Sequence, residues 1–389
     1  MMSTTGRGLQ LAGICFSVIL SAGFTRAELP AEPIPNIATL SSSDYTESLL
    51  FVHDVNFEGL LAGRVVLVDV ALESHNYKGA LDAAQFASFT ESSTRGELYV
   101  AETHYSRGTR GERTDVLSIY DRKTLSQTGE ILLPGGKRGQ VVTNRYTLQL
   151  VDNDRFLFLF NFTPAASVLM IDMDSGKIVS ETQIPGCSLI YPTGKRGFSS
   201  LCSNGSMFSA QFDEAGKLSK REKVASFFDV DEDPLFDKPV FINQTAYFPT
   251  YKGAMQAIDL SADSPRLVKS WSLLSESDKE QNWRPGGWQI GTVNDDGLLY
   301  ILMHRDGNNG SHKGGGSEVW VFDPATQKRL HRFELKNWGV SIEVTRGKSP
   351  YLVVTNGEMQ LDVYNSSNGK WLKMIGGTAA MPFVLHALR

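Results

Sequence analysis

Residues 167–181 read SVLMIDMDSGKIVSE: a short apolar run ending in an acid, a turn, and a second short run. The same grammar recurs along the chain, in RVVLVD ending at Asp69, DVLSIYD at Asp121, MFSAQFD at Asp213, AMQAID at Asp259, EVWVFD at Asp323 and QLDVYN at Asn365. With Asp172 these make seven units, spaced by 52, 51, 41, 46, 64 and 42 residues. Six units carry a β-rich run upstream, among them LLFVHD, ELYVAET, RFLFLFN and YLVVTN; the unit around Gly197–Cys202 shows it only weakly. Runs of this length between Gly, Asn, Asp and Pro turns, with no amphipathic helix between them, are strands. A period of 40–50 residues with about four strands per unit is the signature of a propeller.

The expectation is therefore an all-β, seven-bladed β-propeller. One four-stranded sheet cannot bury both of its faces, so blades stack around an axis and each covers the next. The acid closing each outward strand suits an Asx-type turn, its oxygen accepting from the backbone two residues on. On that reading the seven are turn residues and not a catalytic cluster. Ring closure needs a strand from one terminus in a blade built from the other, and MPFVLHAL, residues 381–388, can lie beside LLFVHD.

The N-terminus stands apart from this pattern. Residues 1–27 hold Arg7, then an uncharged stretch from Gly8 to Thr25, then small residues up to Ala27. That is the form of a cleaved secretory signal, leaving residues 28–389 as a single propeller domain and a periplasmic location. A membrane anchor fits less well, because Ser and Gly dilute the run and Arg26 closes it. Cleavage would remove two arginines and no acid, taking the formal charge from −5 to −7. Such a surface does not suit non-specific binding of nucleic acid. Cys15 would leave with the signal. The remaining pair, Cys187 and Cys202, flanks a Pro/Gly turn and reads as a disulfide across a strand hairpin in an exported protein.

Chemistry is hard to find. No G-x-S-x-G elbow, HExxH, CxxCH or dinucleotide fingerprint is present. His304 and His312 flank a glycine-rich segment, HRDGNNGSHKGGGS, but no third ligand type stands at metal spacing. Residues 305–316 are instead an elongated loop between LLYILMH and EVWVFD, which accounts for the 64-residue spacing. No metal site is expected. The tryptophans are read as core by default. YSRGTRGERTD, residues 105–115, offers Arg107, Arg110 and Arg113 either as a solvated hairpin or as an interface loop.

Several stretches together resemble one family. YSRGTRGERTDVLSIYD, FNFTPAASVLMIDMDSGK, CSLIYPTGKRGFSSLCSNGSM, NWRPGGWQ and LYILMHRDGNNGSHKGGGSEVWVFD occur in the order found in heavy subunits of the quinoprotein amine dehydrogenases, over almost all of the mature chain. The resemblance implies a heterotetramer of two heavy and two light chains. The light chain carries tryptophan tryptophylquinone, which takes two electrons from a primary amine as aldehyde and ammonia are released. The electrons pass to a periplasmic blue-copper protein of the azurin or amicyanin type. No catalytic residue is expected in the heavy chain, which docks its partner, shapes the channel and excludes water from the quinone.

The resemblance also places Phe57, in VHDVNFEGL, at the mouth of the substrate channel; the plainer alternative is an ordinary packed hydrophobe. Cys187 and Cys202 match the family's heavy-chain disulfide, and Arg107, Arg110 and Arg113 are candidates for contact with the light chain. The family's long acidic N-terminal arm is short here, the mature chain opening ELPAEPIPNIATL. WSLLSESDKEQNW, DVDEDPLF and MHRDGNNGSHK resemble the aralkylamine branch and WRPGGWQ the methylamine branch; the expectation is the aralkylamine branch, with substrates such as phenylethylamines, and a methylamine dehydrogenase heavy chain is the alternative. Two other classes remain open, a propeller enzyme acting alone, such as a lactonase, and a non-enzymatic periplasmic scaffold.

Overall fold

The computed structural model describes residues 39–388, so the signal segment 1–27, residues 28–38 and Arg389 lie outside the described residues. The described residues are built from 29 strands in six hydrogen-bonded sheets, with a single five-residue α-helix, Glu276–Glu280. Neighbouring strands run antiparallel, each unit a meander that moves outward and then steps to the next sheet. The protein is an all-β propeller.

Closure happens as expected. Pro382–Ala387 pairs with Leu49–Asp54, setting Leu385 opposite Val52 and Ala387 opposite Leu50. Leu49–Asp54 is buried along its whole length. The unit with the weak upstream signal is regular: Gly197–Cys202 pairs on both sides, with Cys187–Thr193 and Met207–Phe212. Its serines hide the apolar pattern. Ser199 and Ser200 are fully buried, and their hydroxyls are satisfied by Thr193 Oγ1 at 2.7 Å and the Leu189 carbonyl at 2.6 Å.

One sheet is larger than the period suggests. Lys328–Val344 is a continuous 17-residue strand whose first part pairs with Gly316–Asp323 and whose last part pairs with Tyr351–Asn356. No turn signal separates the two parts, so the backbone stays extended and joins them into an eight-stranded sheet. The core lies between sheets and between the halves of this one. Phe51 and Leu67 meet Phe89 and Val100, Phe158 meets Phe198 and Phe212, and Val353 and Val363 meet Val52 and Val66. Seven such buried clusters occur among the described residues.

All seven turn residues behave as expected. Oδ1 of Asp69, Asp121, Asp172, Asp213, Asp259, Asp323 and Asn365 accepts from the backbone N–H two residues on, at 2.9–3.1 Å. Strand registers put them all on one rim. Leu49 faces Asp69 and Glu97 faces Asp121, while Phe156 faces Asp172 and Tyr351 faces Asn365.

Candidate functional site: the loop-bearing rim

The opposite rim gathers the irregular segments. Asp54 lies at the end of its strand, beside Pro382, so the residues after it emerge here. The Arg107–Arg110 hairpin tip, the Cys187–Cys202 pair and the loop after His304 emerge at the same rim.

Phe57 is placed by a buried carboxylate. Asp54 is fully buried and accepts from the backbone N–H groups of Asn56 at 3.1 Å, Ala380 at 2.8 Å and Met381 at 2.8 Å. These bonds pin the 55–58 segment to the C-terminal strand. Phe57 itself is half-buried. Its ring lies edge-on to Phe383 at 5.5 Å and tilted to Phe86 at 5.9 Å. Phe383 in turn meets Trp288 at 6.0 Å. The Trp288 indole donates to the Thr143 carbonyl at 3.0 Å and carries the Lys238 ammonium 4.1 Å above its ring.

Phe57 thus belongs to a chain of four half-exposed rings in successive contact at this rim, those of residues 86, 57, 383 and 288. The sequence reading missed the other three. Trp288 stood inside a quoted motif but was read as core, a description that fits Trp283 and Trp320, which are buried. Phe86 and Phe383 carry no local signal, because Phe383 reaches Phe57 only through ring closure and Phe86 only through the turn that bonds Ala83 and Gln85 to Gly63 and Leu60.

The hairpin arginines divide. Arg107 faces Arg110 across the tip, and both are exposed. Arg113 turns inward, its Nε donating to Asp115 Oδ1 at 3.0 Å and its Nη2 to the Arg138 carbonyl at 2.6 Å. Arg113 and Asp115 stand two apart on a strand and share a face, a signal legible in RTD. Leu61, 51% exposed, lies beside the tip, 3.6 Å from where a Cβ on Gly108 would stand.

Cys187 and Cys202 are bonded to each other, directly opposite in the ladder. The 305–315 loop is held from within: His304 Nε2 bonds Ser311 Oγ at 2.8 Å, and the His312 ring stands edge-on to Tyr251 at 5.3 Å. Burial pushes both imidazoles below their ordinary value. Among the described residues no group of three or more His, Cys, Asp or Glu side chains is arranged to hold a metal ion.

Two cavities open nearby. One, of about 640 Å³, is walled by Phe236, Tyr251, Trp288 and His312. The other, of about 310 Å³, lies among the strands that begin successive units. In it Arg145 pairs with Glu343, a buried carboxylate that also accepts from Gln289 at 2.7 Å and Thr292 at 2.9 Å. Both oxygens of Glu343 are thus engaged, tying together the segments that carry Arg145, Gln289 and Thr292.

A family model described as "Methylamine dehydrogenase heavy chain (MADH)" matches residues 57–388. The chain belongs to the methylamine dehydrogenase heavy chain family. The match reaches every sheet described above and leaves out only the strand Leu49–Asp54. Among similar proteins, the methylamine dehydrogenase heavy chain of Methylophilus methylotrophus is 30% identical over 317 residues, covering 80% of this chain and 77% of the relative. That of Methylobacillus flagellatus is 30% identical over 300 residues, covering 76% and 74%. Solved structures agree on the fold alone. A putative 6-phosphogluconolactonase from Bacteroides fragilis superposes with a TM-score of 0.60 at 12% identity, covering 89% of this chain and 99% of that one.

Proposed function

We propose that this chain is the heavy subunit of a periplasmic amine dehydrogenase, working as the docking and channel-forming partner of a quinone-bearing light chain. The observation that carries the reading is the apolar character of the loop-bearing rim in a member of this family. Beside the four half-exposed aromatics, Phe162 is 57%, Val141 48%, Trp338 47% and Leu61 51% exposed there. Exposed apolar groups gathered on one rim mark a surface meant to be covered. Arg107 and Arg110 at the hairpin tip supply charged contacts at its edge.

The bound quinone would accept the two electrons of the amine's C–H bond. This chain's own part is physical. Its aromatic residues wall the approach, exclude water from the reacting centre and leave a narrow entrance beside Phe57. Electrons would leave to a blue-copper protein of the azurin or amicyanin type, and the assembly would hold two heavy and two light chains. Methylamine is the substrate that the relatives' names support. A second reading, arylalkylamines, is favoured by the aromatic set around Phe57, whose ring faces suit an aromatic substrate.

The architecture behind the site is read as seven blades, the eight-stranded sheet counting as two. Seven interlayer clusters support this count. So does the axial cavity, whose lining draws on seven strands through Phe89, Gln149, Pro192, Val240, Thr292, Glu343 and His386. Export is supported by the disulfide, since such bonds form and persist mainly in oxidising compartments, and cleavage is proposed after Ala27.

The test is co-production with a candidate light chain. The co-purified complex should oxidise methylamine or phenylethylamine in a dye-linked assay, and the isolated heavy chain should show neither activity nor quinone absorbance. Amine oxidation by the isolated chain would overturn the reading. N-terminal sequencing of periplasmic protein checks export.

A further inference from the structure

Phe86 is held in place at considerable structural expense. Gln85 and Phe86 both adopt left-handed backbone conformations, with φ of 53° and 54°. Neither is glycine or asparagine, and non-glycine residues in this region are strained and persist only where their surroundings over-determine them. The surroundings here are specific. Arg138, 3% exposed, reaches into the turn from the loop after Gln127–Leu132. Its Nη2 donates to the Gln85 carbonyl and its Nη1 to the Phe86 carbonyl, both at 2.8 Å.

The same guanidinium donates to Thr103 Oγ1 from Nε at 3.0 Å and from Nη2 at 2.7 Å. Thr103 donates onward to Asp115 at 2.6 Å, and the Asp115 carboxylate also accepts from Arg113 at 3.0 Å and from the Gly136 N–H at 2.9 Å. A planar fork satisfying two adjacent carbonyls is a geometry that lysine cannot reproduce. The turn is also stapled to the loop that carries Phe57. Ala83 N–H donates to the Gly63 carbonyl and Gln85 N–H to the Leu60 carbonyl, each at 2.9 Å. What this buried ionic network presents to the surface is one ring, Phe86, leaning on Phe57 at 5.9 Å.

We propose that Phe86 is a second wall of the substrate entrance, setting amine specificity together with Phe57, and that Arg138 is the positioning residue that fixes it by clamping the left-handed Gln85–Phe86 turn. The inference rests on the reading of Phe57 as an entrance residue, and the experiment separates the two.

The phenylethylamine-to-methylamine ratio of kcat/KM is measured for the heavy–light complex, wild type against F57A, F86A, R138K and F86A/R138K, with melting temperatures alongside. F86A should raise the ratio in the same direction as F57A, by roughly tenfold, the scale set by a small change in an apolar pocket. R138K should raise it by a smaller factor and add nothing in the double variant, because it acts through the ring already removed. A ratio that moves in F57A but not in F86A overturns the inference and leaves the Phe57 reading intact. An unmoved ratio in F57A removes that reading and the inference with it. If R138K lowers the melting temperature while the ratio stays at wild type, Arg138 is structural only. Should R138K fail to accumulate, F86A still decides the role of Phe86, since Phe86 is half-exposed and the clamp stays whole.

Discussion

Replacing Phe57 with alanine separates an entrance residue from a packed one by which observable moves. Truncating a fully buried phenylalanine costs about 3–5 kcal/mol. Phe57 is only half-buried, with one edge-on and one tilted ring neighbour at 5.5 and 5.9 Å. Aromatic pairs contribute about 0.5–1.5 kcal/mol each, so losing both and part of the buried area should cost roughly 2 kcal/mol. Unfolding about 350 residues at about 2.1 cal/mol/K per residue carries an entropy of roughly 0.7 kcal/mol/K, so the melting temperature should fall by about 3 °C. Specificity should change more visibly. A wider entrance loses its discrimination against bulky amines, and pocket changes of this scale are worth about 1–3 kcal/mol, or roughly 10–200-fold in relative kcat/KM. The assay is dye-linked oxidation of methylamine and phenylethylamine by the reconstituted complex, with calorimetry on the same samples. A drop of more than about 6 °C with an unchanged substrate ratio would refute the reasoning, because 350 residues then lose the roughly 4 kcal/mol of a core phenylalanine.

Two further outcomes are expected. Closing the 15-residue interval between Cys187 and Cys202 stabilises by roughly 3 kcal/mol through chain entropy, so the double serine variant should melt about 4 °C lower; two free thiols by mass spectrometry in periplasmic protein would contradict the bridge. His53, wholly buried on the closing strand, has its pKa pushed down to about 4 by burial. Unfolding releases it to its ordinary value near 6.5, so the unfolded chain binds the extra proton first and stability is lost as pH falls from about 6.5 to 4, by roughly 3 kcal/mol. His53→Phe should flatten that part of the stability profile, and a slope equal to wild type would show that another group titrates.

Much of the fold was legible because it is written locally. An acid at the end of an apolar run, followed by a turn, needs only a few residues to be recognised, and each of the seven made the expected backbone bond. Closure was legible too, since MPFVLHAL is a strand with no local partner. Gly197–Cys202 was faint because buried serines count as polar in a sequence and as satisfied donors in a sheet. The site resisted for a different reason. Phe57, Phe86, Trp288 and Phe383 come from both ends and the middle of the chain, and no spacing rule joins them. The left-handed turn at Gln85–Phe86 lacks the glycine or asparagine that would announce it, because its strain is balanced by Arg138, more than fifty residues away.

The two rims differ in what their polar groups are free to do. On the turn rim each acid spends its oxygen on the backbone of its own turn, and several are held below the ordinary carboxylate range by those bonds: Asp259 near 2, through Ser261 and Arg266, with Asp121 and Asp323 also lowered. Such groups stay ionised at neutral pH and cannot act as general acids. Their job ends with the fold. On the other rim, ionic bonding is buried beneath the aromatic rings, in Asp54 under Phe57 and in the Arg138–Asp115 network under Phe86. Buried charge is used there to aim rings, and exposed charge stands beside them, in Arg107 and Arg110 at the hairpin tip. Half-exposed rings held from below by buried ionic bonds keep a fixed geometry while leaving apolar area to be covered, which is the property the proposed docking and channel-forming role requires.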